Sequence, residues 1–301
     1  MQMANSPVGD PVLRRNVRQA TRGDAAAVQR LLRFAVYSHV HVDWHLPGDW
    51  LGQPGFVVYE RHTPREAESQ VTACLAVGAD PLPTAWVRVA AVDSAAAFNP
   101  FEAMFTAVLE SLDPQIEEIA WFITDNWPQR WLERLGFALV STVLTFRMDD
   151  LSPAPYSAPN GLILRSARPE DLPALAAMEA DAFEPRWRHS ALALDLARRQ
   201  AISFDVALLD GELVGFQFST GGGGAAHLAR MTVRPDRQGQ GIGAALLARA
   251  LEGYRKRKLR GATLNTQEDN LVSQRLYRRF GFTPTGLRYP VWSFDPVPAN
   301  R

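Results

Sequence analysis

The chain has 301 residues, 47% of them hydrophobic, which suits two domains of roughly 150 residues that each bury a core. Its 32 Lys and Arg balance 32 Asp and Glu, so bulk charge favours neither a nucleic-acid binder nor a membrane-surface protein. Cys74 is the only cysteine, which excludes an internal disulfide and a cysteine-based zinc site.

Residues 1–15 read as a flexible tail. Arg14, Arg15, Arg18 and Arg22 lie near the start, but no apolar run resembles a signal-peptide core. No stretch approaches the length of a transmembrane helix, so the expected setting is the cytoplasm, with no membrane partner. A first domain is expected over 16–148. The segment Val17-Arg18-Gln19-Ala20-Thr21-Arg22-Gly23-Asp24 reads as a short strand entering a helix, and residues 85–92 read as a further strand. Near its end, Trp131-Leu132-Glu133-Arg134-Leu135-Gly136-Phe137 reads as a helix stopped by glycine and followed by a strand. A linker rich in Pro, Ser and Gly follows over 149–161.

The chain then starts again. Leu164-Arg165-Ser166-Ala167-Arg168-Pro169-Glu170-Asp171 matches the first beginning, and Leu276-Tyr277-Arg278-Arg279-Phe280-Gly281-Phe282 matches the first ending. The offset is 147 residues from Arg18 to Arg165 and 145 from Gly136 to Gly281, which argues for a tandem repeat with a second domain over 162–301. Within it, strand 162–167 leads into an irregular helical region over 173–199. Strands 205–209 and 212–220 flank a type I′ turn at Asp210-Gly211, and a glycine turn at 221–224 precedes strand 226–233. Helix 243–258, strand 261–266, helix 271–279 and strand 283–289 complete it, with Arg255-Lys256-Arg257-Lys258 read as a solvated helix end. This order predicts an α/β fold of two tandem domains, each a mostly antiparallel twisted sheet flanked by helices.

Between strand 226–233 and helix 243–258 lies Gln238-Gly239-Gln240-Gly241-Ile242-Gly243. Glycines let backbone N–H groups converge, and the helix N-terminus adds partial positive charge, an arrangement that suits a pyrophosphate. Glycine spacing alone leaves a turn without a ligand open. A dinucleotide fingerprint would instead open the domain after its first strand.

The stretch from Val233 to Leu247 resembles the acetyl-coenzyme A motif of the GNAT N-acetyltransferase superfamily, with Gln238, Gly241 and Gly243 at its defining positions. The stretch from Asn270 to Phe282 resembles that superfamily's second signature, with Ser273 at its small central position. The resemblance covers about 162–290. It implies acetyl-coenzyme A as acetyl donor, no metal, and transfer to a primary amine by direct attack in a ternary complex. It further implies that main-chain groups of Met231, Thr232 and Val233 hold the pantetheine arm, while Gln238, Gly239, Gln240, Gly241, Ile242, Gly243 and Ala244 hold the pyrophosphate. Asn270 would lie near the arm, and Tyr277 would protonate the departing thiolate.

An amine must lose a proton to react. His227 stands where some members of the superfamily carry a glutamate base, and a strand histidine held only by a hydrogen bond is the competing reading. Glu184, in the loop expected to shape the acceptor pocket, is the other candidate. Phe183 and Trp187 could form an apolar wall there, with Arg186 and Arg188 meeting a carboxylate or simply facing solvent. The acceptor stays open between a small-molecule amine and a peptide N-terminus or lysine, and an oligomer stays open too.

The first copy departs from the pattern. Residues 93–101, read as its loop, contain no glycine, Pro100 lacks an N–H where a cradle needs donors, and Leu132 replaces the tyrosine, although Asn126 matches Asn270. The first copy is therefore expected to be degenerate, serving structure or the acceptor cleft. Its segment His39-Val40-His41-Val42-Asp43-Trp44-His45-Leu46 holds three imidazoles at spacings that fit no single regular face, so it reads as an aromatic, polar loop rather than a metal site. A non-catalytic acyl-coenzyme A sensor or scaffold is the alternative function, and a structural oligomer with a relic site is a third.

Overall fold

The structure, a computed structural model, describes residues 11–61, 69–152 and 154–296. The expected tail falls outside them through residue 10, as does Pro153 of the expected linker. Two compact units emerge, Met1–Val140 with Val291–Arg301, and Ser141–Pro290.

The first unit contains α1 (Pro11–Arg14), β1 (Val17–Gln19), α2 (Ala25–Phe34), β2 (Tyr37–Val40), β3 (Phe56–Arg61) and β4 (Gln70–Ala79). It continues with β5 (Thr84–Val92), α3 (Phe98–Ser111), β6 (Glu118–Phe122) and α4 (Gln129–Arg134). The sheet order is β1–β3–β4–β5–β6, with residues 291–294 of the last strand beside β6, and among the described residues only β5 and β6 run parallel. Strands β4 and β5 read as near-continuous apolar runs because both faces are covered. One face packs on Phe101, Met104 and Val108 of α3, the other on Val28 and Leu31 of α2.

Strand β7 (Ala138–Met148) enters the second unit at Ser141. There follow β8 (Ile163–Ser166), α5 (Leu172–Ala182), α6 (Ala191–Gln200), β9 (Ser203–Leu209), β10 (Glu212–Gly222) and β11 (Ala225–Val233). The chain ends with α7 (Ile242–Lys256), β12 (Ala262–Gln267), α8 (Leu271–Arg279) and β13 (Thr283–Phe294). Here the order is β8–β9–β10–β11–β12–β7, with β11 and β12 the parallel pair. Helix α7 covers one face through Ala244, Leu247 and Leu251 against Leu228 and Leu264, and through Ile242 and Leu246 against Ala207 and Val214. The fold is the expected mixed α/β architecture, mostly antiparallel and flanked by helices.

Three local expectations need correction. The glycine turn is shorter, because Gly221 and Gly222 extend β10 and only Gly223 and Gly224 take left-handed φ values of 60° and 82°. The supposed loop over 93–101 gives way to α3 at Phe98, since Pro100 falls in the first helical turn, where no N–H is needed. The segment beginning at His39 is not all loop. Residues 37–40 form β2, paired antiparallel with β5, and His39 is buried.

The repeat is written in stereochemistry as well as sequence. Arg18 grips Asp24 through two nitrogens at 2.9 and 2.8 Å, and Arg165 grips Asp171 at 2.7 and 2.8 Å. In each case one carboxylate oxygen also accepts a backbone N–H at 2.7 Å, from Thr21 or Arg168, locking the entry to the first helix. Each late helix ends in the same glycine cap, with Phe137 N donating to Leu132 O and Phe282 N donating to Tyr277 O. Gly136 and Gly281 adopt the φ values of 87° and 94° that this cap demands.

The Arg18 guanidinium holds the Asp24 carboxyl at about 2, below its ordinary 3.8. A depressed folded value means stability that is complete above pH 3.8 and is lost as pH falls through 2. Arg18 is 40% exposed, so water screens the pair. Asp24→Asn should lower stability by about 1–2 kcal/mol at neutral pH, with the gap closing under acid, as read from urea midpoints across a pH series.

Candidate functional site

Strands β11 and β12 pair only at residues 226–228 with 262–264 and then part. The cause lies in β11, where Ala229 bulges between Leu228, opposite Ser219, and Arg230, opposite Phe218. Because Arg234 N donates to Val214 O, strand alternation turns the main-chain groups of Met231 and Val233 away from β10 and into the opening. The Met231 side chain reaches towards α7, with its Cε 3.9 Å from where a Cβ at Gly243 would stand. Arg230 and Thr232 face the other way.

The glycine loop closes one end of this opening. Gly239 and Gly241 hold left-handed φ values of 77° and 87°, and Gly241 is the N-cap of α7. A Cβ at Gly241 would sit 2.2 Å from the Ser157 carbonyl oxygen, so glycine is compulsory there. A methyl at Gly243 would meet only ordinary contacts, from 3.5 Å outward, and Gly239 faces open space. Ile242 and Ala244 are buried anchors, while Gln240 is exposed. The Gln238 side chain donates to the Val233 carbonyl at 3.1 Å and pins the loop to the strand end. The first N–H groups of α7 have no partner within the helix and converge with its dipole on one point. This cradle fits a diphosphate.

Helix α8 contributes two of the expected residues. Asn270 is its N-cap, the side chain accepting from Ser273 N at 3.1 Å. Tyr277 is 6% exposed and packed near Phe146 and Phe282. Burial pushes the phenol up to about 12, against the opposing pull of Ser273 and of the Arg230 charge.

The face opposite α7 carries the remaining candidates. His227 shares that face with Arg230 and Thr232, its Nδ1 lying 2.8 Å from Thr263 Oγ1, and burial lowers its pKa from the ordinary 6.5. Glu184 is exposed at the start of the 3-10 turn Pro185–Trp187. Arg188 donates from Nε to the Phe183 carbonyl at 2.8 Å, so that nitrogen serves the loop itself.

Sequence reasoning missed a polar cluster here. Glu179, fully buried, accepts from Arg230 Nε at 3.0 Å, from Thr232 Oγ1 at 2.6 Å, from Arg230 Nη2, and bonds His189 Nδ1 at 3.1 Å. Burial alone would raise this carboxyl, yet the Arg230 charge and His189 hold it at about 2. The signal was present in the sequence. Glu179 shares the inward helical face of Leu172, Leu175 and Met178, where a carboxylate survives only when paired.

The first unit lays out the same elements differently. Strands β5 and β6 also pair briefly and part, at a bulge where Arg88 stands between Val87 and Val89. There the opening is filled by β2, with Tyr37 opposite Val92 and His39 opposite Ala90. Those are the counterparts of Val233 and Met231. The three histidines of this region go to separate partners: His39 Nε2 to Val87 O at 3.2 Å, His41 stacked on Trp86 at 4.6 Å, and His45 Nε2 to Asp80 at 2.7 Å. Leu132, at the place of Tyr277, is wholly buried.

Comparison with known proteins agrees with this geometry. The acetyltransferase (GNAT) family model matches residues 172–282. The mycothiol acetyltransferase of Acidothermus cellulolyticus is 33% identical over 183 residues, spanning 52% of this chain and 56% of that protein, so the match covers about half the length of that relative. The uncharacterized N-acetyltransferase MJ1530 of Methanocaldococcus jannaschii is 30% identical over 123 residues, covering 40% of this chain and 78% of its own length. A tandem GNAT protein from the clavulanic acid biosynthesis pathway, solved without acetyl-coenzyme A, shares the fold with a TM-score of 0.61 at 16% identity, over 94% of this chain and 99% of that one. With a splayed strand pair, a left-handed glycine loop and a buried tyrosine all in the second unit, the chain belongs to the GNAT acetyltransferase family.

Proposed function

We propose that the second unit transfers an acetyl group from acetyl-coenzyme A to a primary amine by direct attack while both substrates are bound. The observation that carries this reading is the left-handed glycine loop opening α7 at the end of a strand edge that has no ladder partner among the described residues. Acetyl-coenzyme A supplies an acetyl thioester that an amine can attack. Main-chain groups of Met231 and Val233 bind its arm as an added strand would, and amides from residues 239–244 hold its diphosphate.

Tyr277 stays protonated at neutral pH and gives its proton to the departing sulfur. His227 stays neutral, and with the Thr263 hydroxyl directed at the Ala226 carbonyl 3.5 Å away, Nδ1–H donates to Thr263 and leaves the Nε2 lone pair to take the amine proton. Glu184, acting through water, is the competing base. Acceptors in the reading are small-molecule amines or a peptide N-terminus or lysine. Transfer is assigned to the second unit alone, because β2 fills the corresponding edge of the first.

Coenzyme A titration followed by calorimetry should give one site per chain, and two sites would remove the assignment of a single binding unit. Thiol release across a panel of amines tests the enzyme claim itself, and tight binding without turnover on any amine would sink it. Gly241→Ala should weaken binding at least tenfold, since its Cβ would collide with Ser157. Tyr277→Phe should lower kcat about 100-fold with donor affinity changed less than threefold. The His227 imidazole must be neutral to work, so kcat/KM should hold above pH 6.5 and fall under more acid conditions. In His227→Gln that acid limb should vanish from the pH profile, and an unchanged limb would move the role elsewhere.

A further inference from the structure

In the reading above the donor follows the open edge from the glycine loop past Val233 and Met231, towards the bulge at Ala229. Two side chains of β11 flank that bulge on the α5 face of the sheet. His227 lies opposite Thr220 and Arg230 opposite Phe218, so they stand two positions apart along β10, about 7 Å. Arg230 is held on three sides: Nε and Nη2 donate to Glu179, Nη2 also donates to the Trp187 carbonyl, and the plane lies over the Phe183 ring at 3.7 Å. Arg188 is tied to the same residue, its Nε donating to the Phe183 carbonyl at 2.8 Å. Two guanidiniums are thus anchored on Phe183, in the segment between α5 and α6. Burying a carboxylate and a guanidinium together gains little over an apolar pair, so stability does not account for the arrangement.

The hydrogen-bonding capacity left over on this face is specific. Glu179 is spent: one oxygen accepts from Arg230 Nε and Thr232 Oγ1, the other from Arg230 Nη2 and His189 Nδ1. Among the described residues Nη1 of Arg230 and both terminal nitrogens of Arg188 have no hydrogen-bond partner. A guanidinium only donates, so these places call for oxygen. The imidazoles are the opposite case. His189 gives its Nδ1 proton to the carboxylate and His227 gives its own to Thr263, so both keep an Nε2 lone pair, which calls for an N–H. Charge agrees with this sorting. Glu179 balances Arg230, whereas Arg188 has no ion pair among the described residues, and the neighbouring Glu184 pairs with neither guanidinium. The two guanidiniums with Glu179 therefore carry one positive charge in excess.

We propose that the acceptor carries a carboxylate, which Arg188 and Arg230 bind while its amine faces His227. The inference rests on the acetyl-transfer reading above and names the class of acceptor. A single excess charge matches a carboxylate better than a phosphate, which brings nearly twice the charge. Two oxygens meet donors from two heads, and the clamp by Glu179 keeps Arg230 from turning away. The carboxylate takes no part in bond making. It sets where the nitrogen sits, beside an imidazole that can take its proton and at the end of the edge that holds the donor.

The test titrates the full chain, loaded with coenzyme A, by calorimetry. The probes are glycine, β-alanine, γ-aminobutyrate and ε-aminocaproate, each set against its own carboxamide. A second arm sets a short peptide beginning Gly-Glu against one beginning Gly-Gln, which separates a carboxylate on a peptide from one on a small molecule. In at least one pair the carboxylate should bind about tenfold more tightly. Arg188→Met should cut that ratio about fivefold or more, and Arg188→Lys, which keeps the charge, should retain most of it. Removing Arg230 alone strands a buried carboxylate, so Glu179→Leu/Arg230→Met removes both charges and should cut the ratio to a similar degree. A purely structural cluster would weaken both members of a pair alike and leave the ratio standing in both variants, and that outcome overturns the proposal. Equal affinities across every pair, or no binding by any carboxylate, overturn it as well. Thiol release that is equal for amines with and without a carboxylate keeps acetyl transfer and defeats the carboxylate site. A chain that shows the binding preference yet releases thiol with no amine defeats acetyl transfer and leaves the carboxylate site standing.

Discussion

Parallel pairing between β11 and β12 cannot continue past Leu228, because the extra residue at Ala229 throws the strand out of register with its neighbour. Every feature of the second unit's site follows from that parting. Backbone amides and carbonyls of a central strand are ordinarily spent on the ladder, and here Met231 and the Val233 amide are spared it, while the Val233 carbonyl accepts from the Gln238 side chain. The bulge also sorts the side chains. Leu228 and Met231 end up with α7, whereas His227, Arg230 and Thr232 end up on the side of α5. The glycine loop only has to cap an opening that the strands have already made.

The electrostatics divide along the same line. Towards α7 the site offers partial charges that are built into the backbone. Across the sheet it offers full charges, and these are tightly neutralised: Glu179 accepts from Arg230 and Thr232 and meets His189. Such a cluster trades stability for orientation, since each member forbids the others from turning. The cost is tolerable because α5 supplies its own apolar face through Leu172, Leu175 and Met178.

Much of this was legible in the sequence, for identifiable reasons. Glycine at 239 and 241, the cap at Gly281 and the turn at Asp210-Gly211 are chemically committed residues, and each does locally what its backbone permits. The duplicated Arg–Asp clamps at 18 and 24 and at 165 and 171 showed through as a repeat because they depend on short sequence separations. Long-range pairings were not legible. Nothing in the residues around His39 announces that β2 would join β5, since strand pairing depends on which edge is vacant. The Glu179 cluster was missed for a related reason, its partners being contributed by β11 and by the segment that follows α5. The helix at Phe98 was hidden by Pro100, a residue that breaks helices everywhere except in their first turn.

The strand β2 in the first unit has a meaning apart from catalysis. A row of unsatisfied peptide groups is a template on which any extended chain can grow, and proteins guard such rows against self-association. The first unit has sealed its row with its own polypeptide. The second leaves the corresponding row without a strand beside it among the described residues. Two copies of one fold thus meet the same vacancy differently, one by closing it with its own strand and the other by keeping it open.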